Sequence, residues 1–390
     1  MVEQFSFARL PFILFGKGRF GLLAGLVKQY GSQILLVAGR SSFAESVYLK
    51  QLSADLEEKK IVIHQVTVGD EPRPGIIDSA VREFGEAKID LVVAVGGGSA
   101  VDAGKAISAM LPVRDSVRNY LEGVGTKNHP GTKVPFIAVP TTAGTGSEAT
   151  KNAVISETGP EGFKRSLRHD NFVPDVAVVD PDLTISCPPA ITAASGMDCF
   201  TQLTEAYLSV KAGRYTDAMA LEGLKAVKSS LMAAYQNGSD IEARTGMAFA
   251  ALTSGICLAN AGLGAVHGFA SSVGARYGLP HGIICGTLMA KANEINVRVL
   301  RRERSNDSAL MKYEVLGRLF LGDSAKGRDY YIDGFISHLH ALTETLSLPR
   351  LGILGVMSDD AGIVSAATDI KNNPVRLSHE DLAEILADRI

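Results

Sequence analysis

Two unlike halves are predicted for this chain: an α/β half built on a doubly wound parallel sheet, then an all-α half. Three observations point there. Short, continuous Val/Ile/Leu runs alternate with helical periodicity through the first half, and runs apolar at every position suit parallel strands covered on both faces. After Pro188-Pro189 strand-like alternation almost vanishes and long helical patterns take over. Glycines cluster directly after two of the strand-like runs, where they allow sharp turns and close backbone approach to a ligand.

The predicted strands are Ile34–Ala38, Ile61–Val66, Leu91–Val95, Phe136–Val139 and Val176–Val179, the last ended by Asp180-Pro181. Between them, Ser42–Lys59, Pro74–Glu86 and Ala100–Met110 carry helical periodicity, and strand–helix alternation argues for a doubly wound sheet. In the second half Ala190–Val210, Tyr215–Gln236, Ile241–Asn260 and Ala309–Leu321 read as helices. A last helix is signalled by Ser378, an N-cap followed by acids. The domains are placed at 1–185 and 186–390, and the 390-residue length suits two domains. From Thr245 to Ala275 the only ionisable side chains are Cys257 and His267, a length that can cross a bilayer. Its hydroxyls, Asn260 and six glycines instead predict a buried helical core around a site.

Hydrophobic residues make up 46% and charged residues 21%, the balance of a soluble globular protein. A net charge of −3 lacks the basic field of a nucleic-acid binder. The four cysteines form no C-x-x-C pair, which excludes a zinc ribbon or thioredoxin-type motif. They are read as reduced, in a cytoplasmic protein. The N-terminus has no long apolar stretch, so no signal peptide is expected.

Gly96-Gly97-Gly98-Ser99 follows the third strand and opens a helix. Such a turn offers free N–H groups and a positive dipole to a phosphate. It is neither G-x-G-x-x-G nor a P-loop, so on spacing alone an ordinary strand–helix turn stands beside phosphate binding. Asp102 and Lys105 follow on the helix, where the plain reading is a helix-start acid and a solvated lysine. A second loop, Pro140 to Thr150, carries Thr141, Thr142, Thr145 and Ser147 between glycines. Ligands of open α/β sheets bind at the carboxyl ends of the strands, where both loops fall.

Asp198 and Gln202 stand four apart on a predicted helix and share a face. His267 and His281 lie in or near the glycine-rich, nearly uncharged region. Singly, each histidine reads as a satisfied core or surface residue. Together, one carboxylate and two imidazoles suit catalytic zinc or iron(II). The histidines are too far apart for the H-E-x-x-H of a zincin peptidase.

These segments resemble the iron-containing, or group III, alcohol dehydrogenases. The resemblance runs nearly end to end: FGKG (15–18), GGGSAVDAGK (96–105), PTTAGTGSEAT (140–150), PDVAVVDPDLT (174–184), GMDCFTQLTEAY (196–207), GAVHGFA (264–270), LPHG (279–282) and NNPVRLSHEDL (372–382). It implies an N-terminal dinucleotide-binding (Rossmann-like) domain and an all-α C-terminal domain, a dehydroquinate synthase-like fold, with the active site between them. It also implies NAD(P)-dependent interconversion of small alcohols with aldehydes or ketones, in a homodimer. By resemblance Gly96, Gly97, Gly98, Ser99 and Asp102 meet the cofactor pyrophosphate, and Thr141, Thr142, Thr145 and Ser147 line the rest of the groove. Asp198, His267 and His281 match metal ligands.

Four departures from the family pattern matter. Gln202 stands where a second ligand is usually His, so Fe2+ or Zn2+ would be held by three firm ligands and at most a weak amide oxygen. Ser271 replaces a His thought to pass protons. After the first strand, Gly39-Arg40-Ser41 replaces the acid of NAD users, which favours NADP over NAD. Arg73 replaces a common Asn, where it would either meet a carboxylate or phosphonate of an acidic aldehyde or stand solvated; by resemblance Lys151 and Asn152 fall near the substrate, Lys151 adding positive charge. The predicted function is metal-assisted hydride transfer, with NADP(H) favoured. The alternatives are a metal-independent reductase of an acidic substrate, like the maleylacetate reductases, or a non-catalytic nucleotide-binding protein.

Overall fold

A computed structural model describes residues 4–40, 43, 46–304 and 306–390. The strands run in chain order as β1 (Phe12–Phe15), β2 (Gln33–Gly39), β3 (Val62–Val68), β4 (Leu91–Gly96), β5 (Phe136–Pro140), an antiparallel hairpin of β6 (Asn152–Glu157) and β7 (Phe163–Arg168), and β8 (Val176–Val179). All but the hairpin form one parallel sheet in the order β1-β8-β5-β4-β2-β3. The helices of this half are α1 (Leu23–Tyr30), α2 (Val47–Glu58), α3 (Pro74–Phe84) and α4 (Gly98–Met110).

The continuous apolar runs are explained by the two faces they cover. Leu35, Val37, Val92 and Ala94 pack with α3 and α4, while Ile34, Leu36, Val93 and Val95 pack with α1 and α2. The chain moves outward from β2 to β3, then returns across β2 to β4 and β5 on its other side. The crevice at the carboxyl ends of β2 and β4 therefore lies where the strand order reverses, the usual ligand position in such sheets.

From Pro189 onward every long element is helical: α5 (Pro189–Leu208), α6 (Arg214–Gln236), α7 (Ile241–Ala261), α8 (Ala265–Tyr277), α9 (His281–Glu303), α10 (Asp307–Leu321), α11 (Arg328–Thr345), the short α12 (Ala361–Ala366) and α13 (His379–Ala387). The centre is α5, buried without a break from Gly196 to Leu208. Among the described residues no single helix is long and apolar enough to cross a membrane; α7 and α8 are bent by 99° at their junction. Both contribute to the core of the helical half, as the glycines and hydroxyls of Thr245–Ala275 predict.

One sequence expectation is corrected, and two elements were not expected. Helix α2 starts at Val47 rather than Ser42, because the Ser46 hydroxyl accepts from the Leu49 N–H and caps the helix there. Ser42 itself lies outside the described residues. The hairpin β6–β7 was not anticipated, since FKRSLR offers no apolar run. Nor was the edge strand β1, whose Phe12 is exposed.

Candidate active site

The two glycine-rich loops meet at the carboxyl edge of the sheet. Gly96 ends β4 in register with Pro140, which ends β5. Gly97 is the residue before α4, and no side chain caps that helix. Its first N–H groups are left to a ligand. A Cβ on Gly98 would stand 2.8 Å from Thr145 Oγ1, so only glycine allows the second loop to lie this close. Gly146, at φ +61°, interlocks with Gly255 of α7: a Cβ on Gly255 would stand 2.1 Å from the Gly146 carbonyl oxygen. The loop that starts on the sheet is thereby docked on the helical half.

Three helices carry the metal-type side chains. Asp198 projects from α5, His267 from α8 and His281 from the first position of α9. Gly282 and Gly286 let α9 press onto α5, since Cβ atoms there would stand 2.5 Å from the Ala194 carbonyl oxygen and 2.8 Å from Met197 Cβ. Asp198 Oδ1 then lies 3.4 Å from His267 Nε2 and 3.5 Å from His281 Nε2. Asp198 and His267 are buried, while the His281 side chain keeps 27% exposure, so the cluster is accessible at one member.

The outer contacts orient the donors. His267 Nδ1 donates to Glu205 Oε2 at 2.6 Å, and Glu205 Oε1 accepts the Val266 N–H at 2.7 Å. Gly264 makes room for this carboxylate, because a Cβ there would stand 3.0 Å from Glu205 Oε1. A proton fixed on Nδ1 leaves Nε2 to face the cluster, the arrangement common around metal-bound histidine. Gln202 donates through Nε2 to the Thr145 carbonyl at 2.9 Å and to Ser254 Oγ at 2.8 Å. A carbonyl can only accept, so the amide nitrogen is pinned toward the second loop and α7.

Electrostatics separate the three donors. Burial alone would lower the His267 imidazole, but Cys285, Glu205 and Asp198 around it raise it well above its ordinary value. Burial, with Lys164 and His267 nearby, pushes His281 down to about 4 against the pull of Asp198. Burial would raise Asp198, yet the two histidines and Cys285 hold it below the ordinary carboxylate range. Asp198 Oδ1, His267 Nε2 and His281 Nδ1 are buried without a hydrogen-bond partner. Buried polar atoms are nearly always partnered, and a divalent metal satisfies the first two of these at once. The donor set fits such an ion.

The other sequence-predicted residues fall in two groups. Gly39 ends β2, beside Gly96, and Arg40 is exposed with its guanidinium laid over Gly69. Ser41 lies outside the described residues. Ser99 is half-buried in the first turn of α4, and Thr142 sits across from Gly97. Thr141 is buried next to Gly96, whose carbonyl accepts its N–H. Asp102 and Ser147 are bonded to each other at 2.5 Å, and Asp102 also accepts the Val154 N–H. Lys105 corrects its solvated reading: it is buried, and its Nζ lies within 2.6–3.2 Å of four oxygens on Ser147, Thr150 and Asn152. Burial lowers this ammonium to about 8. Of the substrate candidates, Arg73 is exposed at the start of α3, Lys151 pairs with Asp170 at 2.6 Å, and Asn152 Oδ1 accepts from Arg168.

Three residues were missed. Cys285 belongs to the cluster, and its donor atom with those of Asp198, His267 and His281 lie within 4.8 Å of one another. It stands four residues after His281, a helical spacing that sequence alone displays. Glu205 stands seven after Asp198 on the same helix, equally legible. Lys164, buried and paired with Glu71, acts on His281 from the hairpin, and no local signal in the sequence points to it.

Glycine-rich turns at a strand-order reversal, with a carboxylate–imidazole cluster on the helical half, are the features of an enzyme that works with a phosphate-bearing cofactor and a metal. Residues 11–181 match the family model for iron-containing alcohol dehydrogenases, and residues 192–390 match the model for the C-terminal part of the same family. The chain belongs to the iron-containing alcohol dehydrogenase family. It is 32% identical to alcohol dehydrogenase 4 of Saccharomyces cerevisiae over 385 residues, 96% of each chain. Among solved structures, an archaeal halo-thermophilic alcohol dehydrogenase from a Red Sea brine pool superposes with a TM-score of 0.90 at 26% identity, over 100% of both chains. Sulfoacetaldehyde reductase from Bifidobacterium kashiwanohense, solved with NAD+, gives 0.82 at 26% identity over 99% of both chains. The protein is thus an alcohol oxidoreductase.

Proposed function

We propose that the protein is an NADP(H)-preferring alcohol dehydrogenase, equally an aldehyde reductase, acting on small alcohols and aldehydes with iron(II) or zinc held by Asp198, His267 and His281. The observation that carries the metal site is the pair of buried, unpartnered atoms Asp198 Oδ1 and His267 Nε2, 3.4 Å apart. When bound, the metal supplies Lewis acidity toward the substrate oxygen and the nicotinamide supplies or accepts the hydride.

The chain's own residues do the rest. Glu205 holds His267 in the ligating tautomer. Gly96, Gly97, Gly98 and Ser99 bring the backbone close to the cofactor phosphates, and Thr141, Thr142 and Thr145 form the facing side of the groove. Ser271 donates its hydroxyl proton to the His267 carbonyl at 3.1 Å. With no imidazole at that position, the chain offers there only a hydroxyl, which is no general base for the alcohol proton at neutral pH. Arg73 is exposed and has no ion-pair partner among the described residues. It is therefore the substrate candidate left able to meet an acidic group.

The NADP preference rests on Arg40, exposed beside the end of β2 with no acid in its place. Its test is the ratio of kcat/KM for NADPH to that for NADH. Arg40→Ala should lower that ratio about tenfold, since one hydrogen bond to a charged group contributes roughly 1.5 kcal/mol. A wild-type preference for NADH, unchanged by the substitution, would remove this part of the reading. Elemental analysis of protein purified without oxygen or chelators should give near-stoichiometric iron or zinc. A site that stays empty after soaking would favour the metal-independent reductase instead.

A further inference from the structure

A fourth donor lies inside the metal cluster. Cys285 is fully buried, and its Sγ stands 3.7 Å from His281 Nε2. Its sulfur and the donor atoms of Asp198, His267 and His281 are mutually within 4.8 Å. The backbone is built for this approach. His281 and Cys285 are one helical turn apart on α9, interleaved with Gly282 and Gly286, the two glycines that let this face press onto α5 beside Asp198. A purely packing thiol would be a poor neighbour for Asp198 Oδ1 and His267 Nε2, which are buried without partners. A thiol is only a weak donor and acceptor.

Gln202 is occupied differently. Both donor positions of its amide are taken, by the Thr145 carbonyl and by Ser254. It clasps the second loop to α7, and the imidazole expected four residues after Asp198 is missing. We propose that Cys285 is the fourth protein ligand of the metal, its thiolate standing in for the imidazole missing at position 202. This rests on the metal reading above. On binding, the thiol proton passes to solvent, as coordination requires. A dication with one carboxylate, one thiolate and two neutral imidazoles carries no net charge. Sulfur is the soft donor of the set, so it shifts selection from iron(II) toward zinc.

X-ray absorption at the zinc edge of the zinc-loaded wild-type enzyme decides the matter without mutating anything. The expected result is a sulfur shell at about 2.3 Å beside nitrogen and oxygen at roughly 2.0–2.2 Å. In Cys285→Ser that shell should vanish, and zinc affinity should fall by more than the about 10–100-fold that loss of an outer-shell partner costs. The cobalt-substituted enzyme should show thiolate-to-cobalt charge-transfer absorption that the variant lacks. Zinc bound by nitrogen and oxygen alone would overturn the Cys285 assignment and leave the metal reading standing. A sulfur shell that survives in a folded Cys285→Ser would overturn it too. No zinc uptake by the wild-type protein would overturn both.

Discussion

The sheet wall of the cleft and the helical wall treat buried polar groups in opposite ways. On the sheet side, Lys105 is as buried as any core residue, yet its Nζ finds four oxygens within 3.2 Å, and Asp102 beside it accepts from Ser147 and Val154. On the helical side, Asp198 Oδ1 and His267 Nε2 are equally buried and find nothing. A closed network of this kind fixes loop geometry, because every member already has its partners. An open one is tolerable only if something completes it, since an unpaired buried polar group costs about 1–3 kcal/mol, more when charged. The contrast separates scaffold from site within one cleft, and residues of the two kinds should fail differently when changed.

The sharpest break falls on the open side. Asp198→Asn keeps size and removes the charge that draws the metal. Metal content should drop to background, and kcat/KM should fall by about 10³ or more, because a bound metal contributes several kcal/mol of charge stabilisation. Retained metal and activity would mean the cluster is not the metal centre.

The closed side should show itself in stability rather than turnover. Glu148, next to Ser147, is buried, and burial pushes its carboxyl up to about 7, with Lys105 opposing and Asp102 adding to the rise. The folded protein therefore holds a proton that the unfolded chain, near 4.5, releases. Between these values the native state binds more protons, so stability falls as pH rises from about 4.5 through 7. The loss reaches up to about 3 kcal/mol at neutral pH. Glu148→Gln should abolish that decline in denaturant titrations run across the range. An unchanged slope would show that the carboxyl is ionised in the fold.

Glu205 joins the two principles, being a satisfied carboxylate that serves an unsatisfied imidazole. Glu205→Gln keeps the contact with His267 but no longer stabilises charge there. Metal affinity measured by competition with a chelator should weaken about 10–100-fold. An effect below twofold would make Glu205 a packing residue.

How much of this was legible in the sequence follows the same divide. The parallel strands could be read because both faces of the sheet are covered, which makes runs such as LVVAV apolar at every position. The glycine loops were visible because backbone approach demands glycine at fixed offsets from strand ends. The hairpin β6–β7 was not, since it lies over α4 and α8 with Arg165 and Arg168 exposed but Lys164 turned inward, so β7 shows no apolar run. The Lys105 hub was read as solvated because its partners come from a loop about forty residues away, two as backbone carbonyls and two as hydroxyls, which no local sequence pattern encodes. Cys285 and Glu205 carried a helical-spacing signal relative to His281 and Asp198. A cysteine in an apolar helix looks like core until the facing helices are known.

The smallest expected effect tests the glycine cradle directly. At Gly98 a methyl group would meet Thr145 Oγ1 at 2.8 Å, and that oxygen already accepts the Ser147 N–H at 3.3 Å. Thr145 has no long side chain to swing away, so the second loop must give ground. Its Gln202 anchor lies on the Thr145 carbonyl, which ties any shift to the edge of the metal cluster. Gly98→Ala should therefore raise KM for the nicotinamide cofactor about tenfold, a loss of roughly 1.4 kcal/mol, with kcat at saturating cofactor nearly intact. Metal content should be unchanged. If metal is lost along with cofactor affinity, the loop transmits strain through Gln202, and the two walls form one mechanical unit. If neither moves, the phosphates do not approach this turn, and the backbone closeness at Gly98 serves only the packing of one loop on another.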